Sequence, residues 1–218
     1  MELILIALIS YLLGSIPFSY IIGRAYGKNL FEIGSRNIGA TNVFRATGRI
    51  EALILALIGD IGKGEIAIFI SQKLVFLGYD LFLAEAIAAF FVVLGHNWPI
   101  FLKFKGGRGL ASLIGVLLAL NWKTIFLVLL VAGFFIFLTE FVMKKGIKLK
   151  GSFKEKIKKL FSIFTSQILC RVIGNVMAAL SIYIFYPYVF KVALGAVILS
   201  GIKHIKRTKS FLKEQNKD

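Results

Sequence analysis

The feature that most constrains this chain is a succession of apolar runs, each near the length of about 20 residues that carries a helix across a bilayer. Seven can be drawn over the 218 residues. They are Leu3–Gly23, Ala52–Phe76, Leu81–Phe101, Leu110–Leu120, Thr124–Met143, Leu160–Ile184 and Tyr188–Ile202. The second is interrupted by "GDIGKGE", and the fourth is short enough to be a half-helix. Hydrophobic residues make up 58% of the chain and charged ones only 17%. A soluble domain carries about a quarter charged residues. The expected fold is all-α: one polytopic integral membrane domain, residues 1–218, of about seven transmembrane helices. The N-terminal run reads as a first transmembrane helix and not a cleaved signal, because Glu2 stands where a basic region belongs.

The formal net charge is +16, and its placement orients the chain. Of the 27 Lys and Arg residues, 22 fall in four segments: Arg24–Arg49, Lys103–Arg108, Lys144–Lys159 and the tail from Lys203. These segments alternate with sparsely charged connections. The positive-inside rule puts them in the cytoplasm, with the N-terminus outside and the C-terminus inside. The charge is interleaved with apolar spans, which argues against a nucleic-acid partner. The segment "KKGIKLKGSFKEKIKK" reads as a solvated basic connector and not as an amphipathic surface helix. The single cysteine, Cys170, excludes an intramolecular disulfide and a cysteine metal site, and two histidines are too few for a histidine cluster. No metal and no other cofactor is expected.

Three polar stretches break the apolar pattern. The first, "GSRNIGATNVFRATG" (Gly34–Gly48), combines glycines with Ser35, Thr41, Asn42 and Arg45. Glycine-rich backbone can turn its N–H groups inward as an anion nest, and an arginine fork can grip a phosphate. The second is "GDIGKGE", in which Asp60 and Lys63 are three apart and share a helix face. It reads either as a neutralising ion pair or as Lys63 presenting charge to a cytoplasmic cavity. The third places Gly106, Gly107, Arg108 and Gly109 directly before an apolar helix, where backbone N–H groups and the helix dipole favour phosphate. Two phosphate-sized sites on one membrane face suggest two phosphorylated ligands, one of them dissolved in the bilayer.

Together with "GSIPFSYIIG" in the first span, "GDIGKG" and "GHNWPIFLKFKGGRGLA", these motifs resemble one family. It is the acyl-phosphate-dependent glycerol-3-phosphate acyltransferases of bacteria, the PlsY family. The resemblance covers roughly residues 1 to 140. It implies a multi-pass enzyme of the bacterial inner membrane with its active site facing the cytoplasm. The reaction implied is transfer of a fatty acyl group from acyl phosphate to the 1-hydroxyl of glycerol 3-phosphate, giving lysophosphatidic acid and phosphate for phospholipid synthesis. The partners implied are acyl phosphate, glycerol 3-phosphate and membrane lipid. Ser35 and Arg45 match the polar and cationic positions of the family's first motif, Thr41 and Asn42 its centre, and Gly106, Gly107 and Gly109 its second motif. Lysine is usual where this chain has Arg108. In the tail, His204 aligns with a family histidine, while Arg207 stands where an asparagine belongs.

The candidate catalytic residues are therefore His204 and Ser35. The candidate phosphate ligands are Thr41, Asn42, Arg45, Lys63, Gly106, Gly107, Arg108 and Gly109. His96 reads as a structural hydrogen-bonding residue. The competing readings are a transporter or channel for a phosphorylated anion and an inactive homologue that binds lipid precursors.

Overall fold

The computed structural model describes residues 1–75, 80–142 and 180–215. Among the described residues there are helices and turns and no strand. The helices are α1 (Glu2–Ser15), α2 (Phe18–Ala25), α3 (Ala40–Thr47), α4 (Ile50–Leu74), α5 (Leu81–Asn97), α6 (Leu110–Leu120), α7 (Lys123–Val142) and α8 (Pro187–Gln215). A 3-10 turn, Ile100–Leu102, follows α5. Two stretches among the described residues, Glu2–Ala25 and Leu81–Leu102, are long and apolar enough to cross a membrane.

The first apolar run is not one straight helix. Pro17 has no N–H to continue the ladder, and it pushes Ile16 into an extended conformation with ψ 114°. α1 therefore stops at Ser15, and α2 starts afresh at Phe18. The second run is one helix, with Asp60 and Lys63 on a shared face as their spacing implies. α4 passes through "GDIGKGE" without interruption for 25 residues. The inner face of α4 is occupied there, which holds the helix through three weak helix formers. The polar loop contributes an additional helix, α3, which ends at Gly48 in the left-handed region (φ +67°). The short fourth run is α6, at Leu110–Leu120 as read. The last helix continues well beyond Ile202 into the cationic tail. Most of the expected sixth span and the basic segment Lys144–Lys159 lie outside the described residues.

The chain divides into two units: Met1–Trp122 with Lys191–Asp218, and Lys123–Phe190. In the second unit, Tyr183 and Phe190 meet edge to face at 5.2 Å. In the first, helices approach closely where both partners are small. A Cβ on Gly14 would stand 2.1 Å from the Val92 carbonyl oxygen, and one on Gly95 2.3 Å from that of Tyr11, so α1 and α5 touch backbone to backbone. α4 and α6 do the same, since a Cβ on Gly115 would stand 2.0 Å from the Ile61 carbonyl oxygen. Gly115→Ala is expected to force these helices apart and to cost about 1 to 3 kcal/mol of stability. A lowered thermal midpoint in detergent micelles is the measurement, and an unchanged midpoint would refute the close contact.

Candidate active site

The site is built around two charges on the inner face of α4. Asp60 and Lys63 are 1% and 2% exposed. Charges at such depth are tolerated where they pair and find hydrogen bonds. Lys63 Nζ lies 3.0 Å from Asp60 Oδ1. It also donates to the carbonyl oxygens of Gly14 and Ile16, each at 2.9 Å. The break between α1 and α2 exposes them: Phe18 N–H turns to the Ile16 carbonyl at 3.2 Å and leaves that of Gly14 without a helical partner. Asp60 Oδ2 accepts a 2.5 Å hydrogen bond from Ser19 Oγ, in the first turn of α2.

His96 in the last turn of α5 joins the same group. Its Nδ1 is 3.7 Å from Asp60 Oδ1 and 3.2 Å from Ser112 Oγ, in the first turn of α6. The glycine loop folds over this imidazole. Gly107 N–H donates to the His96 carbonyl at 3.0 Å, and a Cβ on Gly107 would stand 2.1 Å from His96 Nε2. Gly109 adopts φ +80° to turn the chain into α6. Asp60, Lys63 and His96, with Ser15 and Pro17 at the helix break, line one small cleft, which Ile38 and Pro99 also border. α8 is fastened beside the glycine loop. Ser200 Oγ donates to the Arg108 carbonyl at 2.8 Å, Asn97 Nδ2 donates to the Leu199 carbonyl at 3.4 Å, and Lys203 Nζ lies 4.6 Å from the Trp98 ring centroid.

The first polar loop is only partly polar in space. Leu30, Ile38 and Val43 are buried and form a small core with Ala52 and Ala56 of α4. Asn42 is buried beneath the loop, where it accepts from Ser35 N–H and donates to the Leu30 and Ile33 carbonyls, each at 3.0 Å. Its amide is thus fully engaged with the loop's own backbone. Gly34 (φ +60°) and Arg36 (φ +51°) make the turn that this clip secures. Arg45 is exposed on α3, and among the described residues it makes no ion pair or hydrogen bond. Desolvation by the surrounding chain lowers its pKa from the ordinary arginine value, and the guanidinium stays charged.

Of the expected site residues, Ser35, Thr41, Asn42 and Arg45 are grouped in this loop and α3. Gly106, Gly107, Arg108 and Gly109 are grouped at the start of α6. Lys63 lines the cleft, with its donors engaged by Asp60 and two carbonyls. His204 lies on α8 one residue beyond Lys203, and its side chain is outside the described residues. Ser19, His96 and Ser112 were not anticipated as members of one cluster. The available signal was a set of small polar residues inside apolar spans. Among the described residues, no three His, Cys, Asp or Glu side chains gather to hold a metal ion.

Among the described residues the chain is helical, and its first unit holds a buried ion pair beside two glycine-rich cationic loops. The family model for glycerol-3-phosphate acyltransferase matches residues 4–214. A glycerol-3-phosphate acyltransferase of Wolbachia pipientis from Culex pipiens is 36% identical over 212 residues, covering 97% of this chain and 96% of the relative. One from a Jannaschia species is 50% identical over 119 residues, covering 54% and 56%. The crystal structure of PlsY (YgiH), an integral membrane glycerol 3-phosphate acyltransferase in its glycerol 3-phosphate form, is similar with a TM-score of 0.71 at 25% identity. That likeness covers 100% of this chain and 93% of the other. The form of the same enzyme with lysophosphatidic acid gives a TM-score of 0.68 at 26% identity over the same shares. The chain belongs to the glycerol-3-phosphate acyltransferase family and is an acyltransferase.

Proposed function

We propose that this protein transfers a fatty acyl group from acyl phosphate to the 1-hydroxyl of glycerol 3-phosphate. The products are lysophosphatidic acid and inorganic phosphate, feeding phospholipid synthesis. The reading includes a single seven-helix domain in the bacterial inner membrane, with the N-terminus outside and the active site facing the cytoplasm. The observation that carries it is the family match over nearly the whole chain, which joins both cationic loops to α8 in one enzyme.

Acyl phosphate is already activated, so a direct transfer suffices. The hydroxyl oxygen bonds to the acyl carbon as the carbon–oxygen bond to phosphate breaks, and the hydroxyl proton leaves to a base. Holding the reacting atoms about 3 to 3.5 Å apart supplies much of the rate. Fixed cations then stabilise the departing phosphate. Arg45, with Thr41 beside it, serves as the glycerol 3-phosphate anchor, Ser35 is the catalytic hydroxyl of the same loop, and the Gly106–Gly109 loop with Arg108 serves the second phosphate. Asn42 supports the first site by shaping its loop, and Lys63 contributes its charge as a field from within the cleft.

His204 is assigned first to a substrate phosphate and second to removal of the hydroxyl proton. His204→Ala and His204→Gln at saturating substrate separate the two. A phosphate ligand predicts a raised KM that glutamine partly restores. A base predicts loss of kcat in both variants, and wild-type kinetics in both would remove His204 from the site. The function itself is tested with purified protein, acyl phosphate and glycerol 3-phosphate. Phosphate release that requires both substrates supports acyl transfer, whereas anion flux in liposomes without turnover would overturn it.

A further inference from the structure

A helix broken inside a membrane protein leaves unsatisfied carbonyls at one end and N–H groups at the other, with opposite partial charges. Between α1 and α2 each end meets the matching charge from α4. The Lys63 ammonium sits on the Gly14 and Ile16 carbonyls at the negative end of α1, with both bonds at 2.9 Å. The Asp60 carboxylate takes the Ser19 hydroxyl in the first turn of α2, at the positive end, at 2.5 Å. The two charges lie 3.0 Å apart, three residues along one helix face. A buried pair of this kind is weak support for stability as such. Its fit to both ends of one break points to geometry as its purpose.

Two substrate loops hang from this point. α2 leads directly into the loop that carries Ser35 and ends in α3 with Arg45. On the other side, His96 Nδ1 stands 3.7 Å from Asp60 Oδ1, and the imidazole supports Gly107. We propose that the buried Asp60–Lys63 pair is a clamp across the α1–α2 break that sets the spacing of the two phosphate-holding loops. Both are then positioning residues that act through Ser19 and His96 and do not touch substrate, and the field of Lys63 adds to this from a distance. The loop assignment rests on the acyl-transfer reading above.

The test uses the full chain purified in detergent. Ser19→Ala removes one arm of the clamp and leaves the ion pair in place. It is expected to raise the KM for glycerol 3-phosphate about threefold with little change in kcat, since one hydrogen bond is lost. Ser19→Thr keeps the hydroxyl and is expected to restore the wild-type KM. In the double variant Asp60→Asn/Lys63→Met, removing both charges together is expected to return the thermal midpoint close to wild type, while kcat/KM stays about tenfold down. Recovery of kcat/KM together with the thermal midpoint would mean a merely structural pair and overturn the proposal.

A readout independent of turnover is the distance between spin labels at the exposed positions Ile4 and Arg24, each changed to Cys in a Cys170→Ser background. The clamp predicts one narrow distance in the wild type and a broad distribution in the double variant. An unchanged distribution would overturn it. If the wild type itself shows no turnover of acyl phosphate with glycerol 3-phosphate, the acyl-transfer reading fails, and the spin-label distances alone decide the clamp.

Discussion

Arg45→Ala is expected to raise the KM for glycerol 3-phosphate up to about a hundredfold, because a charge-assisted hydrogen bond contributes about 1.5 to 3 kcal/mol and a guanidinium fork offers two. The structure separates this effect from folding. Arg45 is exposed and makes no ion pair or hydrogen bond among the described residues, so its removal leaves no buried partner stranded. The loop that presents it is held by other groups: the Asn42 amide on three backbone atoms, and Leu30, Ile38 and Val43 in the small core against α4. The thermal midpoint should therefore stay at the wild-type value while KM rises. Arg45→Lys should recover only part of the loss, because an ammonium supplies the charge without the planar fork. An unchanged KM in purified Arg45→Ala would remove Arg45 from the phosphate site. A drop in thermal midpoint matching the loss of activity would make its role structural.

What the sequence disclosed and what it hid divide along the range of the interactions involved. The apolar runs and their charge asymmetry are local properties, and they placed α5, α6 and α7 to within a few residues. The break at Pro17 was also local. It was overlooked because Ile16 and Phe18 keep the run apolar across it. "GDIGKGE" breaks the apolar run without breaking α4, and the partners that satisfy Asp60 and Lys63 come from Gly14, Ile16 and Ser19, more than forty residues earlier. Spacing revealed that Asp60 and Lys63 share a face and left open what that face meets. Asn42 shows the same limit at closer range. Among glycines and arginines it looked like a phosphate donor, and in space its amide closes the loop on itself. His96 was readable as a hydrogen-bonding residue near a helix end. Its contact with Gly107 depends on the loop folding back, which no spacing rule specifies.

The glycine loop makes the sharpest demand on charge. Arg108→Ala is expected to lower kcat/KM by about a hundredfold or more, in line with the roughly 2.7 to 4 kcal/mol lost when one fixed donor to a developing anion is removed. The backbone at this position is anchored independently of the side chain. The Arg108 carbonyl accepts from Ser200 of α8, and the glycines on either side are set by His96 and by the turn at Gly109. Truncating the side chain removes the loop's cation while these backbone contacts remain. Arg108→Lys supplies the contrast. Lysine is the usual residue here in the family that the motifs resemble, and its ammonium restores the charge on a flexible stem. The lysine variant is expected to keep activity within about tenfold of wild type, since only fork geometry is lost. The loss in the alanine variant should appear in kcat, because the charge that the cation meets grows as the phosphate departs. If alanine were tolerated as well as lysine, the loop would need only its backbone shape, and Arg108 would have no part in holding the second phosphate.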